Sequence, residues 1–359
     1  MRRMTRAIRC GSVQIGGDAP VSIQSMTNTD TRDIEATVRQ IRALAEEGCQ
    51  IVRVAIPDQA AAKALGQIKA AVSLPVVADI HFDYRLALEA IENGADKIRI
   101  NPGNIGSESR LKAIFDKADA YKIPVRIGVN SGSLEKDLLE KYGGVSAQPL
   151  CESACKAVAF AESLGFGALV VSLKSADVPM NHQAHRLFAE RSDIPLHIGL
   201  TEAGVGHQAR MKSAVALGAL LLEGIGDTMR ISLTGDPLQE VILAREILEA
   251  TGVRRSGIDL VSCPTCGRTR VDLPQIAMQI KEALEPMSKI LSGRGEYLRV
   301  AVMGCEVNGP GEAASADLGV ACGKDCGLIL EKGKPVKTVP QAEIADELIR
   351  MVHKKMIAK

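Results

Sequence analysis

Short runs of β-branched and aliphatic residues alternate with longer amphipathic segments along the first 235 residues of the chain. Each run ends in polar residues, and the segment that follows it is rich in Ala, Leu and charged residues. The eight runs cover residues 21–26, 51–56, 76–80, 97–101, 125–130, 169–174, 196–201 and 229–234. Their starts lie 21 to 44 residues apart, a spacing that predicts one strand and one crossover helix per unit, with an extra helix in the longest gap.

Strand–helix alternation of this kind predicts a parallel sheet, because a strand needs a crossover to return beside its neighbour in the same direction. Eight such units within about 250 residues predict an α/β fold, a (β/α)8 TIM-type barrel. A doubly wound open sheet is the alternative. No Gly-rich dinucleotide fingerprint follows the first strand, which favours the barrel. The barrel is predicted to occupy residues 1–250.

The regular alternation of strand-like and helix-like segments ends near residue 250. Residues 251–260 begin with a short polar, Gly-containing stretch and are predicted to be a linker. Residues 261–359, which hold five of the nine cysteines, are predicted to form a small α+β domain. Its predicted elements are a helix over 271–284, strands over 297–303, 318–321, 328–331 and 336–339, and a terminal helix over 342–356.

Composition excludes several classes of protein. Lys and Arg total 44 against 43 Asp and Glu, a net charge of +1 that argues against nucleic-acid binding. The longest strongly apolar run, residues 214–222, is far shorter than the ~20 residues that a membrane-spanning helix needs. The basic amino terminus has no apolar stretch behind it, so we expect no secretory signal and a cytoplasmic protein. In a reducing compartment, clustered cysteines serve metal binding or catalysis more often than disulfides.

Polar side chains concentrate at the carboxyl ends of the predicted strands, where barrel enzymes place their chemistry. They are Arg53, Asp79, His81, Arg99, Asn101, Arg126, Asn130, Ser172, Lys174, His197, Thr201, Glu202, Arg230 and Ser232. Only Asp79, Glu202 and Asp227 supply negative charge near strand ends, so positive charge is in excess. Internal ion pairs could explain any single Arg, but the excess predicts an anionic ligand such as a phosphate or diphosphate.

Glu202 directly follows the seventh predicted strand. It could be a solvated loop residue, or a general acid or base placed over the bound anion. Asp79 could simply neutralise a neighbouring Arg, and His81 and His197 could be ordinary hydrogen-bonded histidines.

A CxxC pair, Cys263 and Cys266, is followed 39 residues later by Cys305. This spacing suits a zinc ribbon, an iron–sulfur cluster or a redox disulfide. Three cysteines and one other ligand would leave an iron–sulfur cluster with one labile corner. Spacing leaves four candidates for that corner: Cys322, Cys326, Glu306 and Glu312.

The other cysteines, Cys10, Cys49, Cys151 and Cys155, are expected to be small buried hydrophobic residues. The four-residue spacing of the last two places them on one face of a helix.

Two strings carry a family resemblance: Ser-Cys-Pro-Thr-Cys-Gly-Arg-Thr at 262–269 and Met-Gly-Cys-Glu-Val-Asn-Gly-Pro-Gly-Glu at 303–312. Further matching stretches lie at 25–30, 52–55, 78–82, 98–104, 126–133 and 197–204. On these residues the chain resembles the 4-hydroxy-3-methylbut-2-enyl diphosphate synthase family over nearly its whole length. Its size matches the compact bacterial, two-domain form.

The resemblance implies a homodimer with one 4Fe-4S cluster per chain. The positions that match the family's cluster ligands are Cys263, Cys266, Cys305 and Glu312. The positions that match its diphosphate-binding residues are Arg53, Arg99, Arg126 and Lys174, with Ser262 from the cluster domain. Glu202 matches the proposed acid, and Asn130 and Asp79 match other active-site positions.

The activity implied by the resemblance is a step of the non-mevalonate isoprenoid pathway. It is the reductive ring opening and dehydration of 2-C-methyl-D-erythritol 2,4-cyclodiphosphate, with flavodoxin or ferredoxin as the one-electron donor. Two other functions stay open on the residues alone. One is a barrel hydro-lyase that uses a cluster as a Lewis acid without net electron transfer, and the other is a sugar-phosphate-binding barrel with a structural zinc site.

Overall fold

Residues 2–357 are described by the computed structural model and form two compact units. The first unit ends at Val253 and the second begins at Arg254. Each unit has its own cluster of buried aliphatic side chains. Within residues 2–357, no helix is long and apolar enough to cross a membrane.

The first unit begins with an antiparallel hairpin, β1 (Ile8–Cys10) and β2 (Val13–Ile15), which sequence patterns did not predict. Eight parallel strands follow: β3 (Ser22–Met26), β4 (Ile51–Ala55), β5 (Val76–Asp79), β6 (Lys97–Ile100), β7 (Val125–Asn130), β8 (Leu169–Lys174), β9 (His197–Gly199) and β10 (Thr228–Arg230). Each overlaps one of the eight predicted runs.

The strands of the first unit pair in the order β8-β7-β6-β5-β4-β3-β10-β9. A parallel bridge between Val171 and Leu196 joins the two edges, so the barrel is nearly closed. The prediction of a TIM-type barrel is confirmed.

Helices connect the barrel strands: α1 (Ile34–Glu46), α2 (Gln59–Ala71), α3 (Tyr84–Glu92), α4 (Pro102–Ile105), α5 (Glu108–Ala120), α6 (Lys136–Tyr142), α7 (Ala147–Ser163), α8 (Val178–Ala189), α9 (Gly206–Leu222) and α10 (Pro237–Ala250). The longest gap holds both α6 and α7, which supplies the predicted extra helix. Five of these helices follow an Asp whose side chain accepts a hydrogen bond from a backbone N–H of the first turn: Asp33, Asp58, Asp83, Asp177 and Asp236. These caps explain why each helix begins where it does.

Successive residues of a barrel strand face opposite sides of the sheet, so apolar side chains pack on one side and polar side chains lie on the other. In β6, Ile98 and Ile100 pack in the core cluster that includes helix side chains, and Arg99 points to the opposite face. At the amino-terminal end of the strands, side chains of the β1–β2 hairpin pack against Ile51, Val77 and Val170. The hairpin therefore covers that end of the barrel.

The second unit contains one five-stranded sheet in the order β11-β12-β13-β14-β15. Its strands are β11 (Gly257–Ser262), β12 (Tyr297–Met303), β13 (Leu318–Cys322), β14 (Cys326–Glu331) and β15 (Lys334–Pro340), of which the first three are parallel. Its helices are α11 (Leu273–Gly293), α12 (Gly309–Ala313) and α13 (Ile344–Ile357).

Two elements of the second unit differ from expectation. Strand β11 begins inside the segment 251–260 that was predicted to be a linker, because Ile258 and Leu260 pack against this unit's core. Helix α11 continues through Pro286, although proline in a helix removes a backbone hydrogen bond. Leu291, buried beyond the proline, anchors the added turns.

Candidate functional site

Five basic side chains from five strands lie together inside the barrel, and we call them the cation group. They are Arg53, Arg99, Arg126, Lys174 and Arg230. Four of them are the residues predicted to bind a diphosphate. Gly128 of β7 makes room for one of these side chains, since a Cβ at that position would lie 2.9 Å from Nε of Arg99.

Two buried carboxylates partly balance these charges. Asp79 accepts a hydrogen bond from Nη1 of Arg99 at 3.2 Å, and its other oxygen lies 3.9 Å from Nε of Arg53. Glu240 of α10 lies 3.3 Å from Nη2 of Arg230. Five cations face two carboxylates, so the group retains an excess of positive charge.

One of the buried carboxylates was not predicted. Glu240 was missed because it lies on a helix, where its one sequence signal is a carboxylate on an otherwise apolar face. Asp227, predicted to lie near a strand end, directly precedes β10 at its amino end. There it pairs with Arg2 at 2.9 Å and accepts a hydrogen bond from the backbone N–H of Leu196.

Burial and charge together shift the pKa values of this site. Burial alone would raise the pKa of Asp79, but Arg53, His81 and Arg99 outweigh it and hold that pKa well below its usual range. Burial lowers the pKa of Arg53 to about 10, against the opposing effect of Asp79. Burial and neighbouring cations lower the pKa values of Arg126 and Lys174.

Several buried donors of the cation group lack partners among the described residues. They are Nε and Nη1 of Arg126 and Nε of Arg99. Buried polar groups are nearly always hydrogen-bonded, and leaving one unpaired is costly. Guanidinium groups pair well with phosphate oxygens. The donor set therefore fits a phosphate or diphosphate.

Other predicted polar residues lie at or just after the carboxyl ends of barrel strands. Asn101 caps α4 and donates from Nδ2 to Oγ of Ser133 at 2.7 Å. Asn130, half-buried at the end of β7, accepts a hydrogen bond from Ser133 through its backbone carbonyl. Glu202, exposed between β9 and α9, has φ of +53°, a left-handed conformation that is strained in residues other than glycine. The catalytic roles of Asn130, Glu202 and Asp79 stay predictions.

In the second unit, Cys263, Cys266, Cys305 and Glu312 form what we call the ligand group. Cys263 directly follows β11, and Cys305 follows the adjacent parallel strand β12. The N–H of Gly304 donates to the sulfur of Cys263 at 3.2 Å. Cys266 lies in the exposed loop after β11, and Glu312 is exposed on α12.

The ligand group shares a region of this unit without forming a closed cage. Among residues 2–357, no three His, Cys, Asp or Glu side chains stand close enough to hold one metal ion. The three cysteines are free thiols. Backbone hydrogen bonds from Asn308 and Val307 lower the pKa of Cys305, which favours the thiolate form that binds metal. Three thiolates and one carboxylate fit an iron–sulfur cluster by their chemistry.

Other predicted positions are placed as follows. Ser262, the last residue of β11, is exposed and belongs to the second unit, beside Cys263. Cys322 is buried on β13, and Cys326 is half-buried on β14. His197 lies fully buried in the barrel, and burial with nearby Arg126 lowers its pKa well below the usual range.

A parallel barrel with an excess of buried cations, joined to an α+β unit that carries free thiols, defines a two-domain barrel enzyme. The model of the GcpE TIM-barrel domain matches residues 5–245, and that of the GcpE protein C-terminal domain matches residues 259–354. The chain belongs to the GcpE family.

Relatives match over their full length. A protein from Geobacter sulfurreducens is 53% identical over 359 residues, covering 100% of both chains. One from Caldanaerobacter subterraneus is 51% identical over 354 residues, covering 99% of this chain and 98% of the relative. Both are named 4-hydroxy-3-methylbut-2-en-1-yl diphosphate synthase (flavodoxin).

Solved structures share the fold at low identity. Dihydropteroate synthase from Yersinia pestis has a TM-score of 0.51 at 12% identity and covers 68% of this chain and 98% of its own. Type I 3-dehydroquinate dehydratase from Clostridium difficile has a TM-score of 0.51 at 12% identity, with coverage of 70% and 98%. At such identities the likeness supports the barrel and says nothing of the activity.

Proposed function

We propose that this chain is an iron–sulfur oxidoreductase that forms 4-hydroxy-3-methylbut-2-enyl diphosphate from 2-C-methyl-D-erythritol 2,4-cyclodiphosphate. In this step of the non-mevalonate isoprenoid pathway, two electrons and two protons enter and one water leaves. The observation that carries the proposal is the cation group, whose unpartnered donors suit a diphosphate. The names of full-length relatives at about half identity support the same product.

The cation group binds and orients the substrate. Arg53, Arg99, Arg126 and Lys174 come from four adjacent or nearby strands, so their positions are set by the barrel before substrate arrives. Asp79 holds Arg99 in place through its hydrogen bond. Fixed donors of this kind lower the entropic cost of positioning the reacting bond.

A second set of side chains serves the reacting atoms. Glu202 donates a proton to the hydroxyl group that leaves as water. Asn130, at the end of β7, hydrogen-bonds to the substrate beside the cation group. The strained backbone of Glu202 supports this role, because strain of this kind concentrates at functional sites.

The ligand group, Cys263, Cys266, Cys305 and Glu312, would hold one 4Fe-4S cluster per chain. When bound, the cluster supplies electrons one at a time, as a hydride donor cannot. A glutamate oxygen is a harder and more exchangeable ligand than a thiolate, which suits a site that must admit substrate. Ser262, beside Cys263, would add a hydroxyl to diphosphate binding.

We propose flavodoxin as the electron donor, following the names of the relatives, with ferredoxin as the alternative. The protein would act as a homodimer in the cytoplasm, where thiols stay reduced. Substrate binding and electron supply are assigned to different units, so both units must serve the same substrate during turnover.

The decisive experiment is anaerobic purification followed by metal analysis and turnover with reduced flavodoxin. We expect four iron and four sulfide per chain and two electrons consumed per product. Turnover without net electron consumption would instead identify a hydro-lyase. Zinc in place of iron, with substrate bound but not converted, would identify a binding protein.

A further inference from the structure

Cys151 and Cys155 lie one turn apart on α7, with their sulfur atoms 4.0 Å apart. Neither belongs to the cation group or to the ligand group. Cys151 is fully buried and Cys155 is half-buried. Both cysteines were expected to be small buried hydrophobic residues, which holds for Cys151 but not for Cys155.

Cys155 opens into a cavity of about 600 Å³ outside the barrel interior. The cavity is also lined by three arginines, Arg3, Arg6 and Arg191, and by three carboxylates, Glu162, Glu190 and Asp193. Arg6 is paired with Glu162 and Asp193, whereas Nη1 of Arg191 donates to the sulfur of Cys151 at 3.9 Å. Arg191 therefore lies beside the sulfur pair, at a cavity large enough for a small molecule.

The two thiols differ chemically. The hydrogen bond from Cys151 lowers the pKa of Cys155 to about 7, and Arg191 assists while burial opposes. The same hydrogen bond raises the pKa of Cys151. By contrast, burial raises the pKa of Cys49 to about 11. Because Cys155 lines the cavity and Cys151 is fully buried, Cys155 is the nucleophile of the pair, and Cys151 is a second thiol within reach of it.

We propose that Cys151 and Cys155 form a redox-active dithiol that is oxidised by a small disulfide entering the cavity at Cys155. The geometry carries the assignment: two sulfurs in contact range, one accessible from a cavity, and an arginine beside them.

The reaction balances in two exchanges. First, the Cys155 thiolate attacks one sulfur of the disulfide, forming a mixed disulfide, breaking the original S–S bond and releasing one thiolate. Second, the sulfur of Cys151 attacks that of Cys155, and the second small thiol leaves with the proton of Cys151. Two protein thiols lose two electrons in total, and the small disulfide gains them.

The bridge should be easily reversed. The sulfur atoms must approach from 4.0 Å to the ~2.05 Å of a disulfide within one turn of a continuous helix. Such a bridge is strained, and strained disulfides are readily reduced. We therefore expect a reversible modification rather than a structural cross-link.

The test uses the anaerobic, cluster-loaded enzyme and oxidised glutathione. Trypsin cleaves after Lys141 and Lys156, so both cysteines lie in one peptide, 142–156, without any other cysteine. In the wild-type chain we expect this peptide to lose two hydrogen atoms, and dithiothreitol to restore them. In Cys151→Ser we expect the glutathione adduct to accumulate on Cys155. In Cys155→Ser we expect Cys151 to stay unmodified because it is buried.

Two comparisons complete the test. Arg191→Gln should slow the modification of Cys155 several-fold, whereas Arg186→Gln, which removes an exposed charge on the neighbouring helix, should not. Cys49, in a separate peptide, serves as the internal reference for an inert thiol. The proposal fails if Cys155 reacts no faster than Cys49. It also fails if wild type and Cys151→Ser both stop at the mixed disulfide.

Discussion

Arg126 is 1% exposed, and two of its guanidinium nitrogens have no hydrogen-bond partner among the described residues. It also faces Arg53 and Arg99, which repel it. A buried charge in this state destabilises the free protein, and a bound anion would remove both the repulsion and the missing hydrogen bonds.

Arg126→Met should separate binding from stability. An apolar side chain of similar volume removes the buried charge, so the free energy of unfolding should stay equal or rise by about 1 kcal/mol. Affinity for inorganic pyrophosphate should fall by about 10- to 100-fold, since charge-assisted hydrogen bonds are lost. Denaturant unfolding and calorimetric titration measure the two effects. Lost stability with unchanged affinity would reassign Arg126 to an internal ion pair.

Glu312 tests the assignment of the ligand group. Glu312→Cys should still assemble a cluster, because thiolate is a softer ligand for iron, but turnover should fall by roughly 10- to 100-fold as the exchangeable ligand is lost. Glu312→Ala should leave three thiolates and a cluster that loses iron readily. Iron content, absorption spectra and turnover are measured without oxygen. Wild-type turnover in Glu312→Cys, or wild-type spectra in Glu312→Ala, would contradict the assignment.

Among single residues of the site, those whose type conflicts with their predicted surroundings could be identified from the sequence. An Arg inside a β-branched run, such as Arg53 or Arg99, is conspicuous because strand interiors are apolar. Glu240 was missed because a carboxylate on a helix is ordinary until its burial is known.

Among the elements, buried parallel strands were the most predictable, because both of their faces are covered and they form near-continuous apolar runs. The β1–β2 hairpin escaped prediction because its strands have three residues each, too few to establish a period. Helix α11 was predicted to end before Pro286, but tertiary packing of Leu291 outweighs the lost backbone hydrogen bond.

Helix α8 buries a histidine that makes stability depend on pH. His185 is fully buried, its Nδ1 bonds to the carbonyl of Asn181 at 2.8 Å, and burial lowers its pKa to about 4. Between pH 6.5 and 4 the unfolded chain binds this proton and the folded chain does not, so stability falls as pH falls. The contribution is about 3 kcal/mol, from 1.36 kcal/mol per pKa unit.

The expected result is a smaller pH dependence of unfolding in His185→Gln than in the wild type, measured by denaturation from pH 7.5 to 4.5. His207→Gln, an exposed residue at the start of α9, is the matched control and should leave the slope unchanged. An identical slope in wild type and His185→Gln would contradict the assignment.

The β13–β14 hairpin tests which cysteines serve the cluster. Cys322 and Cys326 lie on its two strands, and the family resemblance does not place them among the ligands. Replacing both by Ser should therefore leave iron content and brown absorption unchanged, with at most a modest loss of stability from Cys322, which is buried. Loss of the cluster in this double variant would make one of the pair a ligand.

On the scale of the whole molecule, the chain consists of two units with separate cores, and chemistry is divided between them. The regular alternation of strands and helices stops near residue 250, and this change in their spacing predicts two domains. The sequence pattern did not predict that β11 begins within 251–260. This strand is paired with β12, and the two are separated in the chain by a 21-residue helix, so the pairing leaves no local signal.

Anion binding should act mainly on the first unit. Every member of the cation group belongs to the first unit, so saturating pyrophosphate should protect its amides against hydrogen exchange, by about 2.7 kcal/mol at 100 times the Kd. Peptides from residues 254–357 should gain much less protection, because Ser262 is the one diphosphate contact proposed there. Equal protection of both units would show that the anion binds elsewhere.

The β1–β2 hairpin limits the routes by which a ligand can reach the barrel interior. Because it covers that end, a diphosphate reaches and leaves the cation group from the carboxyl end of the strands. In the proposed function, substrate and product both carry the diphosphate assigned to these cations, so both would enter and leave by the same opening. We therefore expect the product to inhibit competitively with the substrate, which would make the rate depend on how fast the product is consumed.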